Sequence, residues 1–389
     1  MAAVLSILLL LSFFSGCGES GGNDGSGEDA QAAVPELTGH ALEETVKPDY
    51  AEGFVIYRYA DGYEVIDVKD EASGSQVMYL LIPEKGEMPP GLPEEMIVLQ
   101  KPLDHIYLAA SASMALISAL DGLDSVKFTA TQENDWYVDE AKKAMEEGRI
   151  VYAGKYSQPD YEMLLDEGCD LAVESTMILH TPTVQEKLEG LDIPVFIDQS
   201  SYESHPLGRS EWIRVYGAML DKDEEAETFF EEQKAVISDL EGFENTGKTV
   251  AFFYLNSQDQ AVVRASDDYI PEMIDIAGGK YVFTDLKNPN EESRSAVVKM
   301  SMEEFYEQAS DADYLIYNAS IENPLGAMED LTEKSPLFAK FKAVKAGNVW
   351  TTDKYLYQAT DIMGQLIRDF HLMLTGGDEK EMIFLKKVK

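Results

Sequence analysis

The sequence predicts an α/β protein with two Rossmann-like lobes joined by one long backbone helix. Two observations support this fold. Short apolar segments alternate with amphipathic helical segments over residues 105–197 and again over residues 249–374, as is typical of parallel sheets covered by helices. Between these regions, residues 210–240 carry apolar side chains at three- and four-residue spacing, which predicts an unusually long helix.

The first lobe begins with β-rich sequence. Residues 54–59 and 63–68 are rich in β-branched and aromatic side chains and flank Asp61-Gly62, a hairpin signal, and residues 76–82 read as a third strand. Further strands are predicted at 105–109, 150–153, 171–173 and 193–197, and helices at 113–120, 136–147, 161–166 and 183–188.

The second lobe restarts the alternation after Gly242 and Gly247. Strands are predicted at 249–255, 314–317 and 348–351, and helices at 269–276, 302–308, 336–341 and 358–374. In such folds the loops converge at the carboxyl ends of the strands, so we expect a ligand cleft there, between the lobes.

The first residues have the pattern of a targeting segment. Residues 2–14 are nearly all apolar, too few to span a bilayer, and Phe14-Ser15-Gly16-Cys17 follows. Two small residues before a cysteine resemble the lipobox of bacterial lipoproteins, in which the cysteine becomes the lipidated N-terminus. The alternative is a plain cleaved signal peptide with an incidental cysteine. The resemblance implies an extracytoplasmic protein anchored to the cell membrane by lipid at Cys17.

These patterns divide the chain into five segments. We expect a lipoprotein signal peptide at 1–17 and a flexible tether at 18–47, because residues 18–31 are rich in Gly, Ser and acidic side chains. The N-terminal α/β lobe is expected at 48–209, the inter-lobe helix at 210–241 and the C-terminal α/β lobe at 242–389.

The charge of the chain excludes some partners. The 389 residues include 72 Asp and Glu against 31 Lys and Arg, giving a net charge of −41. So acidic a chain repels phosphate backbones and anionic headgroups, so we expect neither nucleic acid nor a membrane face as a partner. We expect a monomer.

Motifs that mark catalysis do not occur in the context that their chemistry needs. H-E-x-x-H is absent, and no two of the five histidines stand at metal-ligand spacing. G-x-G-x-x-G and G-x-S-x-G match only in the Gly-rich residues 16–22, and G-x-x-x-x-G-K-[ST] matches only at residues 242–249, which lead into a predicted strand where a phosphate-binding loop would lead into a helix. This favours a binding protein over an enzyme, and we expect neither a cofactor nor a resident metal.

Four segments carry a resemblance to a known family: GKYSQPDYE at 154–162, IPVFID at 193–198, HPLGRSEWI at 205–213 and IAGGKYVF at 276–283. Over about residues 101–374 the chain resembles the helical-backbone class of periplasmic binding proteins of ABC importers, which carry iron–siderophores, haem and cobalamin. The resemblance implies the solute-binding subunit of an ABC importer that captures an iron complex, a siderophore or haem, and delivers it to the permease. The alternatives are a cobalamin-binding subunit of the same class, a surface-anchored enzyme and a ligand sensor.

The resemblance also implies permease-docking residues. Members of the class dock through one exposed glutamate on each lobe, and the matching positions are Glu162 and Glu303. Asp160 and Ser301 read as N-caps, with Glu304 completing a capping box, so that each glutamate is second in its helix. The alternative is that glutamates are favoured in a first helical turn by the helix dipole alone.

Candidate ligand-binding residues are arginines and aromatic or thioether side chains near predicted strand ends. Arginine is scarce in this acidic chain, and a guanidinium can pair with the carboxylate of an anionic chelate. For each candidate, core packing or a surface ion pair is the competing explanation. The candidates are Trp136, Met177, Tyr202 and Arg209 in the first lobe and Tyr254, Arg264, Arg294 and Tyr355 in the second.

Overall fold

The computed structural model describes residues 34–70, 73–240, 242–288 and 296–389. Two of the predicted site residues, Cys17 and Arg294, lie outside these ranges. Residues Glu36–Lys389 form one compact unit. It contains three large β-sheets, two of which are the sheets of the predicted lobes.

The first sheet precedes the lobes. Four antiparallel strands are joined by a fifth strand that runs parallel to the fourth. The predicted hairpin is confirmed, since the second and third strands pair around residues 60–62. The strands are β1 (Leu42–Val46), β2 (Phe54–Tyr59), β3 (Glu64–Asp70), β4 (Ser75–Ile82) and β5 (Ile97–Gln100).

The first lobe is built on a parallel five-stranded sheet with the order β12-β11-β6-β7-β8. Its strands are β6 (Ile106–Leu108), β7 (Val126–Thr129), β8 (Val151–Tyr152), β11 (Leu171–Ser175) and β12 (Val195–Asp198), and β9 (Gly154–Lys155) and β10 (Gln158–Pro159) form a short ribbon beside it. The helices of this lobe are α1 (Ser111–Ala119), α2 (Asp139–Glu146), α3 (Tyr161–Asp166) and α4 (Pro182–Glu189).

The segment between the lobes corrects one prediction. Residues 210–241 do not form an unbroken helix, because the chain is divided into α5 (Pro206–Glu211), α6 (Ile213–Leu220) and α7 (Asp223–Val236). Asp221 takes the left-handed conformation, with φ 55° and ψ 42°, and ends α6. A short polar side chain tolerates that conformation, so the chain turns there before α7 begins.

The second lobe is built on a mixed sheet with the order β16-β14-β13-β17-β18-β19, and β15 pairs with β13. The central strands β13, β17 and β18 are parallel, as predicted, whereas the outer strands are antiparallel. The strands are β13 (Thr249–Leu255), β14 (Ala261–Arg264), β15 (Lys280–Tyr281), β16 (Val297–Met300), β17 (Tyr314–Tyr317), β18 (Val349–Thr352) and β19 (Leu385–Lys387). The helices are α8 (Tyr269–Ile276), α9 (Met302–Ala309), α10 (Met328–Lys334), α11 (Lys342–Ala346) and α12 (Met363–Thr375).

The first sheet packs against the first lobe through aromatic side chains. Phe54 lies edge-on to Trp212, with ring centroids 5.3 Å apart, and Tyr79 lies edge-on to Phe196 at 4.9 Å. Gly53 is needed at this contact, because a Cβ there would lie 2.9 Å from the Trp212 ring. The predicted tether therefore ends earlier than residue 47: β1 is a strand of this sheet, and Leu37 is buried in it.

Backbone bonds to two carboxylates fix the same contact. Glu211 accepts hydrogen bonds from the amides of Asp49, Tyr50 and Ala51 at 2.7–2.9 Å. Glu203 accepts from the amides of Glu52 and Gly53 at 2.9 and 3.0 Å.

In the described part of the chain, no helix has both the length and the apolarity needed to cross a bilayer.

Candidate functional site

A cleft of about 900 Å³ lies between the two lobes. Its first-lobe wall comprises the 3-10 segment Thr176–His180 after β11, the segment Ser200–Tyr202 after β12, and Arg209 of α5. Since β11 and β12 are parallel, their carboxyl ends meet at one edge of the sheet and the cleft forms at that edge. The second-lobe wall comprises the loop between β14 and α8, residues 287, 288 and 296, and Tyr357.

Arg209 lies at the junction of the two walls. It is the fourth residue of α5, which begins at Pro206 and is capped by His205, whose Nδ1 accepts from the Leu207 amide at 3.1 Å. Its Nε donates to the carbonyl of Glu203 at 3.1 Å and its Nη2 to the carbonyl of Ser201 at 2.5 Å. Among the described residues it donates to no carboxylate. Its charge is therefore available to a bound anion.

Arg209 stacks on an aromatic ring of the other lobe. Its guanidinium carbon lies 3.7 Å from the ring centroid of Tyr269, the first residue of α8. Burial lowers the pKa of Arg209 from its ordinary value, but a guanidinium remains charged at neutral pH. The stacked ring fixes the plane of the guanidinium where the lobes meet.

A second guanidinium borders the same ring but is neutralised. Arg264, at the end of β14, donates to both oxygens of Asp268, from Nε at 2.7 Å and from Nη2 at 2.8 Å. Asp268 is also the N-cap of α8, accepting from the Ile270 amide at 3.1 Å. This buried bidentate pair holds α8, and with it Tyr269, against the end of β14.

The remaining charges of the cleft come from both lobes. Lys287 and Asp267 are exposed on the second-lobe wall. The carboxylate of Glu203 is turned away, since it accepts from the amides of Glu52 and Gly53 and from the Trp212 Nε1 at 2.9 Å. The cleft thus presents a guanidinium that donates to backbone carbonyls and to no carboxylate of the described residues, in a chain whose net charge is −41.

The sequence of this two-lobed chain matches the family described as periplasmic binding protein over residues 109–356. The chain belongs to the periplasmic binding protein family. The matched region contains the parallel strands of both lobes except β6, and every described residue of the cleft except Tyr357. The resemblance and the two-lobed α/β fold predicted from the sequence are confirmed.

Relatives of this periplasmic binding protein include an uncharacterized lipoprotein of Methanocaldococcus jannaschii, 27% identical over 265 residues. That match covers 65% of this chain and spans only 60% of the relative's length.

Two solved structures share the fold. One is the periplasmic heme binding protein HutB of Vibrio cholerae (TM-score 0.55, 20% identity), covering 69% of this chain and 98% of that one. The other is an ABC-type Fe3+-hydroxamate transport system protein of Saccharomonospora viridis (TM-score 0.54, 16% identity), covering 79% and 98%.

The cleft brings together four of the eight predicted ligand residues. Met177, Tyr202, Arg209 and Arg264 line it. Met177 is 46% exposed, whereas the guanidinium of Arg264 is paired with Asp268.

The other predicted ligand residues lie elsewhere in this binding protein. Trp136 is 3% exposed and belongs to the hydrophobic core, so core packing explains its position. Tyr254 is half-buried and does not line the cleft. Tyr355 lines a separate crevice, and its hydroxyl donates to the Ile383 carbonyl at 3.3 Å. Arg294 is outside the described ranges.

Sequence reasoning missed two tyrosines of the cleft. Tyr269 was assigned to a helix but not to the cleft, and Tyr357 was passed over in favour of Tyr355. The ring of Tyr357 is 40% exposed, and its hydroxyl lies 3.5 Å from Asn318 Nδ2. Asp268 directly precedes the predicted helix 269–276 and is a typical N-cap residue. This signal indicates that a loop ends and a helix begins at Tyr269.

The two predicted docking glutamates lie outside the cleft lining, and both are exposed. The Asp160 side chain accepts from the Met163 amide at 3.1 Å, which confirms that cap of α3. Ser301 and Glu304 form the predicted capping box at the start of α9. Glu162 and Glu303 are each second in their helix, and neither faces a partner for acid–base chemistry in the cleft.

Two buried polar groups lie behind the first-lobe wall. Asp198, at the end of β12, accepts from Ser113 Oγ at 2.7 Å and also from the hydroxyls of Ser200 and Tyr216. Glu174, next to last in β11, is fully buried, and neither of its oxygens has a hydrogen-bond partner in the described structure. Burial raises the pKa of Glu174 to about 8.

One set of potential metal ligands was found in the described ranges. Asp104, His105 and Asp170 place their ligand atoms within 4.8 Å of one another. These residues precede β6 and β11, so they lie at the amino ends of the strands, at the opposite edge of the sheet from the cleft. None of these three residues lines the cleft.

Proposed function

We propose that this periplasmic binding protein is the substrate-binding subunit of an ABC importer and that its substrate is a hydrophilic, anionic ferric chelate of the siderophore type. The observation that carries the proposal is Arg209, a guanidinium stacked on Tyr269 between the lobes and bonded only to backbone carbonyls among the described residues. The guanidinium presents N–H donors in one plane, and these can bind the carboxylate or catecholate oxygens of such a chelate in pairs.

The composition of the cleft supports a hydrophilic chelate over haem. Hydroxyl and amide side chains contribute to its lining on both walls, among them Thr176, Ser201, Ser204 and Asn288. A porphyrin needs apolar walls on both faces, whereas the exposed apolar or aromatic surface here comes mainly from Met177 and Tyr357. The structures of similar fold come from a haem-binding protein and from an Fe3+-hydroxamate transport system, so both ligand classes belong in the test.

Thermal unfolding with a panel of chelates tests the proposal. Ferric enterobactin and ferric citrate serve as anionic ferric chelates, ferrichrome as a neutral one, and haemin and cyanocobalamin as the other ligand classes. An anionic ferric chelate at 100 times its Kd should stabilise the fold by about 2.7 kcal/mol, and its iron-free form should not. Stabilisation by haemin or cyanocobalamin alone would overturn the ligand class, and stabilisation by no chelate would overturn the binding role.

We further propose that Glu162 and Glu303 dock the protein on its permease. Both are exposed, and both occupy the second position of a capped helix, one in each lobe. The charge-reversed variant Glu162→Arg/Glu303→Arg should bind the chelate as wild type does and lose uptake into cells. Exposed Glu146→Arg/Glu333→Arg is the matched control. Normal uptake by the docking variant would contradict the role.

We also propose that Cys17 carries lipid, which would hold the protein at the outer face of the cell membrane. The support is the small-residue pair before Cys17 and the lipoprotein name of the relative from Methanocaldococcus jannaschii. Cys17→Ala should move the protein from the membrane fraction to the soluble extracytoplasmic fraction, and mass spectrometry of the wild-type N-terminal peptide should show the lipid mass. An unmodified Cys17 would refute the anchor.

A further inference from the structure

A single glutamine ties the two lobes together beside the cleft. Gln358, in the second-lobe 3-10 turn Leu356–Gln358, bonds to two backbone groups of the first-lobe loop after β7. Its Oε1 accepts from the amide of Tyr137 at 2.8 Å, and its Nε2 donates to the carbonyl of Asp135 at 2.9 Å. We call this pair of bonds the Gln358 clamp.

The chemistry of the clamp allows one orientation of the amide. The Tyr137 N–H requires an acceptor and the Asp135 carbonyl requires a donor, so Oε1 and Nε2 cannot be exchanged without losing both bonds. Of the uncharged side chains, only an amide supplies an acceptor and a donor side by side in this way. The glutamine amide at position 358 therefore matches both backbone groups that it contacts in the first lobe.

The clamp is adjacent to a side chain of the cleft. In the turn Leu356–Gln358, Tyr357 lines the cleft, whereas Gln358 lines the crevice on the other side of the segment. Leu356 and Ala359 are buried on either side of these two residues, 2% and 1% exposed. Because neighbouring residues of one anchored turn move together, the bonds of Gln358 fix where Tyr357 stands.

The loop held by the clamp is itself a cleft-side element. It follows β7, whose carboxyl end lies at the same edge of the sheet as those of β11 and β12. The clamp bonds to the residues on either side of Trp136. Trp136 is buried in the core instead.

We propose that Gln358 is a positioning residue: by clamping the first-lobe loop at Asp135–Tyr137 it fixes Tyr357 in the cleft and so determines how long a bound chelate is retained. The clamp exists without ligand. Its effect on retention rests on the function proposed above.

Hydrogen exchange at the Tyr137 amide tests the clamp in the ligand-free protein. Gln358→Ala should speed exchange of this amide about tenfold or more, because the bond that protects it is lost. Gln358→Glu keeps an acceptor for the Tyr137 N–H but sets an oxygen against the Asp135 carbonyl, so exchange should be slower than in Gln358→Ala and faster than in wild type, whereas general loosening of the turn would speed both variants alike. Gln185→Ala, which removes a bond from Gln185 to Glu189 within α4, is the control and should leave Tyr137 unchanged.

Dissociation of ferric enterobactin, followed by fluorescence quenching, tests the effect on retention. Gln358→Ala should release it about tenfold faster than wild type, since two inter-lobe bonds are lost, and Gln185→Ala should not. Exchange at Tyr137 within twofold of wild type in Gln358→Ala would overturn the clamp. Unchanged release despite faster exchange would overturn its effect on the cleft. If ferric enterobactin does not bind the wild-type protein, the proposed ligand fails, while the exchange result still decides the clamp.

Discussion

The guanidinium of Arg209 lies 3.7 Å from the ring centroid of Tyr269, and this stacked pair joins the lobes at the floor of the cleft. Arg209 comes from α5 at the end of the first lobe, and Tyr269 begins α8 in the second. The Tyr269 ring and the carbonyls of Glu203 and Ser201 fix the orientation of the Arg209 guanidinium. None of these partners is a carboxylate.

Replacing Arg209 should weaken ligand binding more than it weakens the fold. Arg209→Ala removes the free charge and should raise the Kd for the anionic ferric chelate about 10- to 100-fold. Arg209→Lys keeps the charge but loses the planar fork and the stacking, and should fall between Arg209→Ala and wild type. Titration calorimetry measures the effect, with Arg149→Ala on the exposed surface as the control. Equal affinities for wild type and Arg209→Ala would show that the anion binds elsewhere.

Glu174 should make the protein less stable as the pH rises. Its pKa is about 8 in the folded state against an ordinary 4.5, so between these values the folded state holds a proton that the unfolded state has released. The free energy of unfolding should therefore fall by up to about 1.4 kcal/mol per pH unit from pH 4.5 to pH 8 on account of this group.

Urea unfolding of wild type and Glu174→Gln at pH 5.5, 6.5, 7.5 and 8.5 isolates that contribution. The variant cannot titrate at this position and should show a shallower decline. Glu186→Gln, an exposed site on α4, should keep the wild-type slope. Parallel curves for wild type and Glu174→Gln would mean that Glu174 is ionised in the folded protein.

His205 should make the protein less stable as the pH falls. Burial lowers its pKa to about 4 from an ordinary 6.5, and its neutral Nδ1 caps α5. Between these values the unfolded state binds a proton that the folded state does not, so stability should decline as the pH falls from 6.5 to 4. The cap contributes roughly 1 kcal/mol.

His205→Asn separates the cap from the titration. Asparagine is a strong N-cap residue that does not titrate, so this variant should keep the stability at pH 7 and lose the decline attributable to residue 205. Circular dichroism melts at pH 4, 5, 6 and 7 provide the measurement. His105→Asn, at a more exposed histidine, is the comparison. A variant as acid-sensitive as wild type would refute the assignment.

Glu211 should be among the most sensitive positions for stability. It is fully buried, and its carboxylate accepts three backbone N–H bonds from residues 49–51 and pairs with Arg214 at 3.0 Å. Glu211→Ala leaves these amide donors without their acceptor and removes one of the carboxylates paired with Arg214, which keeps Glu227 at 3.1 Å, and should cost at least about 3 kcal/mol. Guanidinium unfolding gives the loss, and exchange of the Asp49–Ala51 amides should rise. Glu224→Ala, at an exposed position of α7, should change the free energy of unfolding by less than about 0.5 kcal/mol.

Local patterns in the sequence located most elements of the lobes. The predicted bounds of α3, α8, β13 and β17 match the structure residue for residue, because each element combines a clear period with a cap or turn signal. The break between α6 and α7 was missed because the apolar spacing continues across it. Asp221, followed by the acidic first turn at 223–225, was the available signal for a helix end and a new helix start.

The cleft was only partly predictable, because its residues are assembled by tertiary contacts. Arg264 was recognised as a rare arginine near a strand end, yet the turn into α8 brings Asp268 onto it and removes its free charge. Tyr355 and Tyr357 stand two residues apart in the same segment. Which of them faces the cleft depends on the 3-10 turn at Leu356–Gln358, and no period of a strand or an α-helix indicates that turn.

The hydrogen bonds of Glu203 limit how far this protein can be shortened to make a compact biosensor. Its carboxylate holds the residues that lead into β2, while its own carbonyl anchors Arg209. A shortened chain beginning at residue 101 would leave Glu203 without the amides of Glu52 and Gly53 and would uncover Trp212, which bonds to the same carboxylate. The first sheet therefore supports the residue whose carbonyl accepts from Arg209, and it should be kept when the scaffold is trimmed.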